Sequence, residues 1–176
     1  EKVTLKFKPV RSGYYAWDGT WLKLQGKDIV LLICFDVVSL DVINYLAVPD
    51  ECYETYQALV NIINNSEPDI LANAKGFFSD GELWLLKLLK ERYSPVPLQL
   101  CVFHKYSRVG QIIPFVHAKG MDKDIKYRVE KVLFAPTKQL AINGLIELKR
   151  YALEHQRNKK LKEIMEQIPG AVDVSI

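Results

Sequence analysis

The chain has 176 residues, of which 49% are hydrophobic and 26% charged, and its formal net charge is +3 at pH 7. This length suits one domain with a full core, and the composition is that of a globular protein rather than a disordered one. No apolar run approaches the roughly 20 residues that span a bilayer, and no basic start followed by an apolar run predicts a signal peptide. We therefore predict no membrane partner.

The chain begins at Glu1 without Met, so we expect a piece of a longer protein. Its three cysteines are widely spaced and odd in number, which favours a reducing, intracellular setting.

Three stretches in succession predict strands. Tyr14 to Leu24 mixes aromatic, apolar and polar residues, Asp28 to Val37 is strongly apolar, and Asp41 to Val48 follows a turn at Ser39. Gly26-Lys27 lies between the first two and is predicted as the turn of a hairpin.

A helix is predicted after the third strand. Pro49-Asp50 starts it, with Asp50 as its cap and with Glu51 and Glu54 favouring its positive end. Its apolar face recurs at helical spacing and consists of Tyr56, Leu59, Val60 and Ile63.

A short strand from Gly76 to Asp80, a helix from Glu82 to Arg92 and a strand from Leu98 to Phe103 complete this part of the chain. The second helix is expected to bury Leu83, Leu86, Leu89 and Tyr93, with Trp84, Leu85 and Leu88 extending its apolar surface. The order β-β-β-α-β-α-β predicts an α/β fold with a mixed sheet.

From Lys105 onward the pattern is helical. One segment starts at Asp122, a longer helix is capped by Thr137, and a last helix ends at Pro169-Gly170. We predict two parts, a core over residues 1–118 and a helical part over residues 119–168.

The charge is unevenly distributed along the chain. Residues 1–118 carry 12 Lys and Arg against 13 Asp and Glu, whereas residues 119–163 carry 12 against 6. A basic segment of this kind favours a polyanion partner, and the alternative is a solvated helical face. Lys159, Lys160 and Lys162 are the candidate nucleic-acid contacts.

Two aspartates are the candidate catalytic residues. Asp18 stands in Trp17-Asp18-Gly19-Thr20, and Asp80 follows the fourth strand. Two carboxylates brought together can hold divalent ions that bridge a phosphate, and such oxygen ligands favour Mg²⁺ or Mn²⁺. The alternatives are a turn-forming Asp-Gly for Asp18 and a helix cap for Asp80.

Cys101 and His104 form a C-x-x-H pair on the predicted fifth strand. Zinc is disfavoured because a closed zinc site needs four ligands and there is no second Cys/His pair. A buried thiol in a strand is inert by default. His104, at the expected strand end, is the auxiliary residue that could contact a phosphate or orient a carboxylate.

Taken together, these motifs resemble the catalytic domain of Mutator-type (MULE-like) DDE transposases, which include many insertion-sequence enzymes. The resemblance rests on Trp17 to Lys23, Phe78 to Gly81 and Gln99 to Lys105, and covers about residues 14–165. It implies a ribonuclease-H-like fold in which Asp18 and Asp80 are the first and second catalytic, metal-binding aspartates. Cys101 and His104 match the family's C-x-x-H signature. The basic helical segment is similar to the insertion that precedes the family's last acid.

That third acid, a glutamate in the family, has no assigned position in this sequence. Glu147, Glu154, Glu163 and Glu166 are candidates by position only, and we expect the chain to end before the catalytic glutamate. The chain alone is then expected to be inactive.

The resemblance implies a transposase that cleaves phosphodiester bonds and transfers strands. Its partner would be double-stranded DNA, as transposon ends and target, with self-association left open, in the cytoplasm or nucleoid of a prokaryote. Two alternatives stay open: a structure-specific nuclease on the same fold, and a non-catalytic module that binds DNA or protein.

Overall fold

A computed structural model describes residues 9–168 of the chain. The chain divides into two compact units, with the boundary between Val96 and Pro97. Within residues 9–168, no helix has the length and apolar character that crossing a membrane requires.

The first unit is a sheet with two helices. Its strands lie in the order β3-β2-β1-β4, with β1-β2 and β2-β3 antiparallel and β1-β4 parallel. The elements in chain order are β1 (Tyr14–Leu24), β2 (Lys27–Asp36), β3 (Val42–Val48), α1 (Tyr53–Ser66), β4 (Gly76–Ser79) and α2 (Leu83–Arg92).

The hairpin between β1 and β2 closes through Gln25 and Gly26, one residue earlier than predicted. Both residues have positive φ, 51° at Gln25 and 81° at Gly26. This two-residue turn matches the right-handed twist of the strands that it joins. It fixes the register so that Leu24 faces Lys27 and Trp17 faces Cys34.

The core of the first unit forms between one face of the sheet and the helices. Alternate β2 residues are fully buried, and α1 buries its predicted apolar face. In α2 the predicted face is only partly right, because Leu83 is 75% exposed and the helix buries Leu85, Leu88 and Leu89. This i, i+3, i+4 set makes a narrower stripe than the sequence suggested.

The start of α1 differs from the prediction. Its N-cap is Cys52, whose backbone N–H donates to Thr55 Oγ1 at 3.0 Å, so Asp50 lies outside the helix and does not cap it. Thr55 is the third residue of the helix, and its hydroxyl accepts the backbone N–H of the N-cap residue, as in a capping box. Glu51 therefore precedes the helix, and its side chain is available to the sheet.

The second unit is helical after one short strand. Its elements are β5 (Leu98–Leu100), α3 (Val102–Ile112), a 3-10 turn (Phe115–His117), α4 (Met121–Leu133), α5 (Lys138–Glu154) and α6 (Lys159–Gln167). Thr137 caps α5 as predicted and accepts from the backbone N–H of Leu140. Ile125, Val129, Leu148 and Ile164 are among its fully buried core residues. The predicted end of α6 at Pro169-Gly170 lies outside the described residues.

The predicted fold class is confirmed. The chain is an α/β protein with a mixed sheet in the order β-β-β-α-β-α-β, a ribonuclease-H-like arrangement, followed by helices. The predicted division at residue 118/119 stays a prediction, while the helical part of the chain already begins with α3.

Candidate active site

The parallel pairing of β1 with β4 determines where the two candidate aspartates lie. The pairing runs from Tyr14 opposite Gly76 to Trp17 opposite Ser79. Asp18 and Asp80 each directly follow this last pair, so they occupy equivalent positions on neighbouring strands. β1 continues to Leu24, so Asp18 lies inside its strand and not at the end, whereas Asp80 directly follows β4.

Asp80 is partly committed to the backbone. Its Oδ1 accepts from the backbone N–H of Glu82 at 3.0 Å, and Ser79 Oγ accepts from Gly81 N at 3.0 Å. The N-cap of α2 is Glu82, whose side chain accepts from Trp84 N at 3.2 Å. The local turn thus orients the Asp80 carboxylate without using it as the helix cap.

A third carboxylate lies beside β1, and sequence reasoning missed it. A Cβ placed on Gly19 would lie 1.8 Å from Glu51 Oε1. The same oxygen accepts a hydrogen bond from the Tyr56 hydroxyl at 3.0 Å. The absence of a side chain at Gly19 is therefore what lets the Glu51 carboxylate approach the strand next to Asp18.

The carboxylates of this region influence one another. Burial raises the pKa of Glu51, the Tyr56 hydrogen bond opposes this, and the negative charges of Asp80, Glu82 and Asp18 raise the pKa further. Burial also raises the pKa of Tyr56, as does its neighbour Glu51. Burial is the largest of these causes, so the raised pKa of Glu51 chiefly reflects the removal of its carboxylate from water.

The side chains of Asp18 and Glu51 nevertheless approach β1 from different sides. Successive side chains of a strand alternate between the two faces, so Asp18 faces away from the side on which Gly19 meets Glu51. Accordingly, in the described range 9–168 no group of three or more His, Cys, Asp or Glu side chains is arranged to hold a metal ion.

The C-x-x-H pair does not lie on a strand. β5 ends at Leu100, Cys101 is the N-cap of α3, and His104 is exposed in its first turn. The expectation that Cys101 is a buried strand residue was wrong, because the chain turns into a helix directly after β5. Cys101 is a half-buried free thiol.

The three candidate lysines lie at the start of α6 and are exposed. Lys160 Nζ pairs with Asp122 Oδ2 at 2.8 Å, which ties α6 to α4. Lys162 lines a cavity of about 390 Å³ between α5 and α6. Their role in nucleic-acid binding stays a prediction.

The four glutamates considered as third acids all lie on α5 and α6 in the second unit. Glu147 Oε2 pairs with Lys131 at 2.9 Å, and this hydrogen bond lowers the pKa of Glu147. Glu154, Glu163 and Glu166 are exposed, as expected for solvated helix faces.

No protein-family model and no curated protein matches the chain. Among solved structures, it is similar to the HTLV-2 integrase catalytic core domain in complex with magnesium. In the dimeric form the identity is 9%, the match covers 71% of this chain and 88% of that chain, and the TM-score is 0.41. In the trimeric form the identity is 12%, the match covers 70% of this chain and 86% of that chain, and the TM-score is 0.40.

A simian T-cell lymphotropic virus intasome in complex with PP2A regulatory subunit B56 gamma is also similar. Here the identity is 8%, the match covers 70% of this chain and 49% of that chain, and the TM-score is 0.41. At such identities and scores these similarities establish neither a family nor a function for the chain.

Proposed function

We propose that the chain is the catalytic core of a metal-dependent phosphoryl transferase that acts on the phosphodiester bonds of DNA. The observation that carries the proposal is the parallel β1-β4 pairing, which sets Asp18 and Asp80 directly after one registered pair of residues. In α/β sheets, ligands bind outside the carboxyl ends of the strands, where Asp80 lies.

The donor set fits magnesium or manganese. The site offers carboxylate oxygens, which are the ligands that these ions prefer, and Mg²⁺ is commonly held by one or two carboxylates with waters and a substrate phosphate completing its shell. When bound here, such an ion supplies Lewis-acid activation of the phosphodiester and of the attacking hydroxyl.

The protein's own groups orient the site. The backbone N–H of Glu82 holds one oxygen of Asp80 and leaves the other available. On the opposite face of β1 from Asp18, the Tyr56 hydroxyl holds the Glu51 carboxylate in place.

The finer proposal is a DNA transposase of the Mutator type, with transposon ends and target DNA as partners, acting inside a prokaryotic cell in the cytoplasm or nucleoid. It is supported by the three motifs in order. His104 and Cys101 remain candidate auxiliary residues. The second candidate is a structure-specific nuclease, which would cut without strand transfer.

A nicking assay tests the proposal. The protein encoded by the full reading frame is incubated with supercoiled plasmid and Mn²⁺ or Mg²⁺. We expect nicking that Asp18→Ala and Asp80→Ala abolish and that Glu54→Ala, an exposed carboxylate on α1, retains. Residues 1–176 alone are expected to be inactive. Nicking that survives both aspartate substitutions would overturn the proposal.

A further inference from the structure

Two neighbouring cavities lie where α5 passes into α6. One, of about 390 Å³, opens between the two helices, and the other, of about 430 Å³, lies along the loop that joins them. These volumes fall in the range of roughly 300–1,000 Å³ that small-ligand sites occupy. We call the two cavities together the α5–α6 groove, because they share the lining residues Leu153, His155, Gln156 and Asn158.

The cavity between the helices combines an apolar wall with two positive charges. The wall consists of Ala152, Leu161 and Met165, and Leu161 belongs to the buried core of the second unit. Lys149 of α5 and Lys162 of α6 line the same cavity and are exposed. Among residues 9–168, neither lysine has an ion-pair partner. The groove is therefore complementary to a molecule that carries both an apolar body and an anionic group.

The ring of His155 is held in a fixed orientation at the border of the two cavities. It stacks on Tyr151 with the ring centres 4.3 Å apart, and its Nδ1 donates to the Tyr151 carbonyl oxygen at 2.9 Å. Tyr151 is itself buried, and the guanidinium carbon of Arg128 lies 4.4 Å from its ring centre. Because Tyr151 covers one face of the His155 ring, the other face and the edge are left to the groove.

These features together select one ligand chemistry. A simple anion would leave the apolar wall unused, and an aliphatic carboxylate has no ring to stack on His155. A nucleotide uses all three, since its base can stack on an aromatic side chain and its phosphate can pair with lysines. The Gln156 amide has no hydrogen bond within residues 9–168, so its donor and acceptor are available to the edge of a base.

We propose that the α5–α6 groove binds a nucleotide, either free or as an unpaired nucleotide of a nucleic-acid strand. The base packs between the His155 ring and the apolar wall, and the phosphate contacts Lys149 and Lys162. Little ordering is needed on binding, because the ring that receives the base is already fixed by Tyr151. This inference goes beyond the proposed function and involves neither Asp18 nor Asp80.

Calorimetry in the presence of EDTA compares adenosine 5′-monophosphate (AMP) with adenosine, which has the base but no phosphate. We expect His155→Ala to weaken the binding of both ligands about 5- to 100-fold, the range for loss of one stacked base. His155→Phe keeps an aromatic ring and should retain most of the affinity. Replacing Lys149 and Lys162 together by Ala should weaken AMP binding about 2- to 25-fold, as for two exposed ion pairs, and leave adenosine binding unchanged.

NMR of the methionine methyl groups locates the bound base. The chain has two methionines, and both line the groove: Met165 lies in the cavity between the helices and Met121 in the cavity along the loop. AMP and adenosine should shift the ¹³C-methyl signal of Met165 through the ring current of the base, and that of Met121 less. Inorganic phosphate has no ring and should leave both signals in place.

Matched controls come from the same unit. His117 is exposed in the 3-10 turn, and Lys123 is exposed on α4. His117→Ala and Lys123→Ala should leave AMP binding unchanged. Competition then identifies the source of the nucleotide: a short single-stranded oligonucleotide that displaces AMP supports a nucleic-acid strand, and AMP that stays bound supports a free nucleotide.

AMP affinity that stays within twofold of the parent in His155→Ala would overturn the inference. So would a double lysine variant that weakens adenosine as much as AMP, or octanoate that binds more tightly than AMP, since the groove would then hold an aliphatic acid. Because binding is measured without metal or cleavage, these outcomes are independent of the nicking assay on Asp18 and Asp80.

Discussion

The Glu51 carboxylate occupies the space that a side chain at Gly19 would need, with only 1.8 Å between Oε1 and the position of a Cβ there. A glycine in the middle of a strand usually weakens that strand, and here the missing side chain of Gly19 admits the Glu51 carboxylate to the face of β1 opposite to Asp18. The loop before α1 and the strand β1 are thereby coupled.

Substitution Gly19→Ala should displace Glu51 and break its hydrogen bond with Tyr56. We expect a loss of about 0.5–1.5 kcal/mol in the free energy of unfolding, the net contribution of one hydrogen bond, because the flexible end of Glu51 can move away from the new methyl group. Tyr56→Phe should be destabilising in the parent and nearly silent in the Gly19→Ala background, as measured by urea denaturation in a double-mutant cycle. Additive effects of the two substitutions would show that the contact is absent. Thr20→Ala, at the neighbouring exposed position, is the control.

Glu51 should also make stability depend on pH. Its folded-state pKa is raised by burial and by Asp80, Glu82 and Asp18, so the folded protein binds the proton more tightly than the unfolded chain. The ionised Glu51 carboxylate therefore lowers the free energy of unfolding at pH values above its folded-state pKa. This destabilisation disappears as the pH falls from the folded-state pKa to the lower pKa of the unfolded chain.

Glu51→Gln keeps an acceptor for Tyr56 and removes the charge. We expect it to stabilise the protein at pH 7 by about 0.2–1 kcal/mol, the range of partly exposed charge interactions. The gain should vanish near pH 4, where the parent is protonated. A variant less stable than the parent at pH 7 would show that the charge has a favourable partner.

Asp36 should make stability depend on pH in the opposite direction to Glu51. It is fully buried, and although burial raises its pKa, hydrogen bonds from Ser12, Ser39 and Val38 lower it to about 2. The ionised Asp36 carboxylate therefore stabilises the folded protein at pH values above its pKa in the unfolded chain, and this stabilisation is lost as the pH falls toward 2. Asp36→Asn should flatten the acid-unfolding profile between pH 4 and 2, as followed by circular dichroism, whereas an unchanged profile would refute this role.

Much of the fold could be predicted from the sequence because its signals are local. The apolar run of β2 and the apolar spacing in α1 each specify one element, and Gly26 marks the hairpin turn to within one residue. The extent of β5 could not be predicted, because the apolar residues continue past Leu100 through Cys101, Val102 and Phe103, and only the turn at Cys101 separates strand from helix.

The candidate site was predicted in part. Asp18 and Asp80 were singled out from their motifs, and the β1-β4 pairing brings their strands together. Glu51 was misread as a helix-start residue, because the signal that identifies it is a tertiary contact with Gly19. A glycine between Asp18 and a β-branched residue was the one local sign of close approach.

Nucleic-acid binding by the second unit should depend on α6. Because Lys160 already pairs with Asp122, we expect Lys159 and Lys162 to make the phosphate contacts. Replacing both by Ala should reduce the salt slope of duplex binding by about 1.8, while Lys160→Ala changes it less. Equal slopes in all variants would identify the lysines as a solvated helix face.

The most direct test of the central claim is where a divalent ion binds. Mn²⁺ is titrated into the ¹⁵N-labelled chain, and paramagnetic broadening of the amide signals is followed by NMR. We predict that the signals of Gly19 and Gly81 broaden first, at roughly millimolar Mn²⁺ because few ligands converge, and that Asp18→Asn or Asp80→Asn prevents this. Broadening centred on other carboxylates, or unchanged by both substitutions, would contradict the assignment of a metal-dependent site to Asp18 and Asp80.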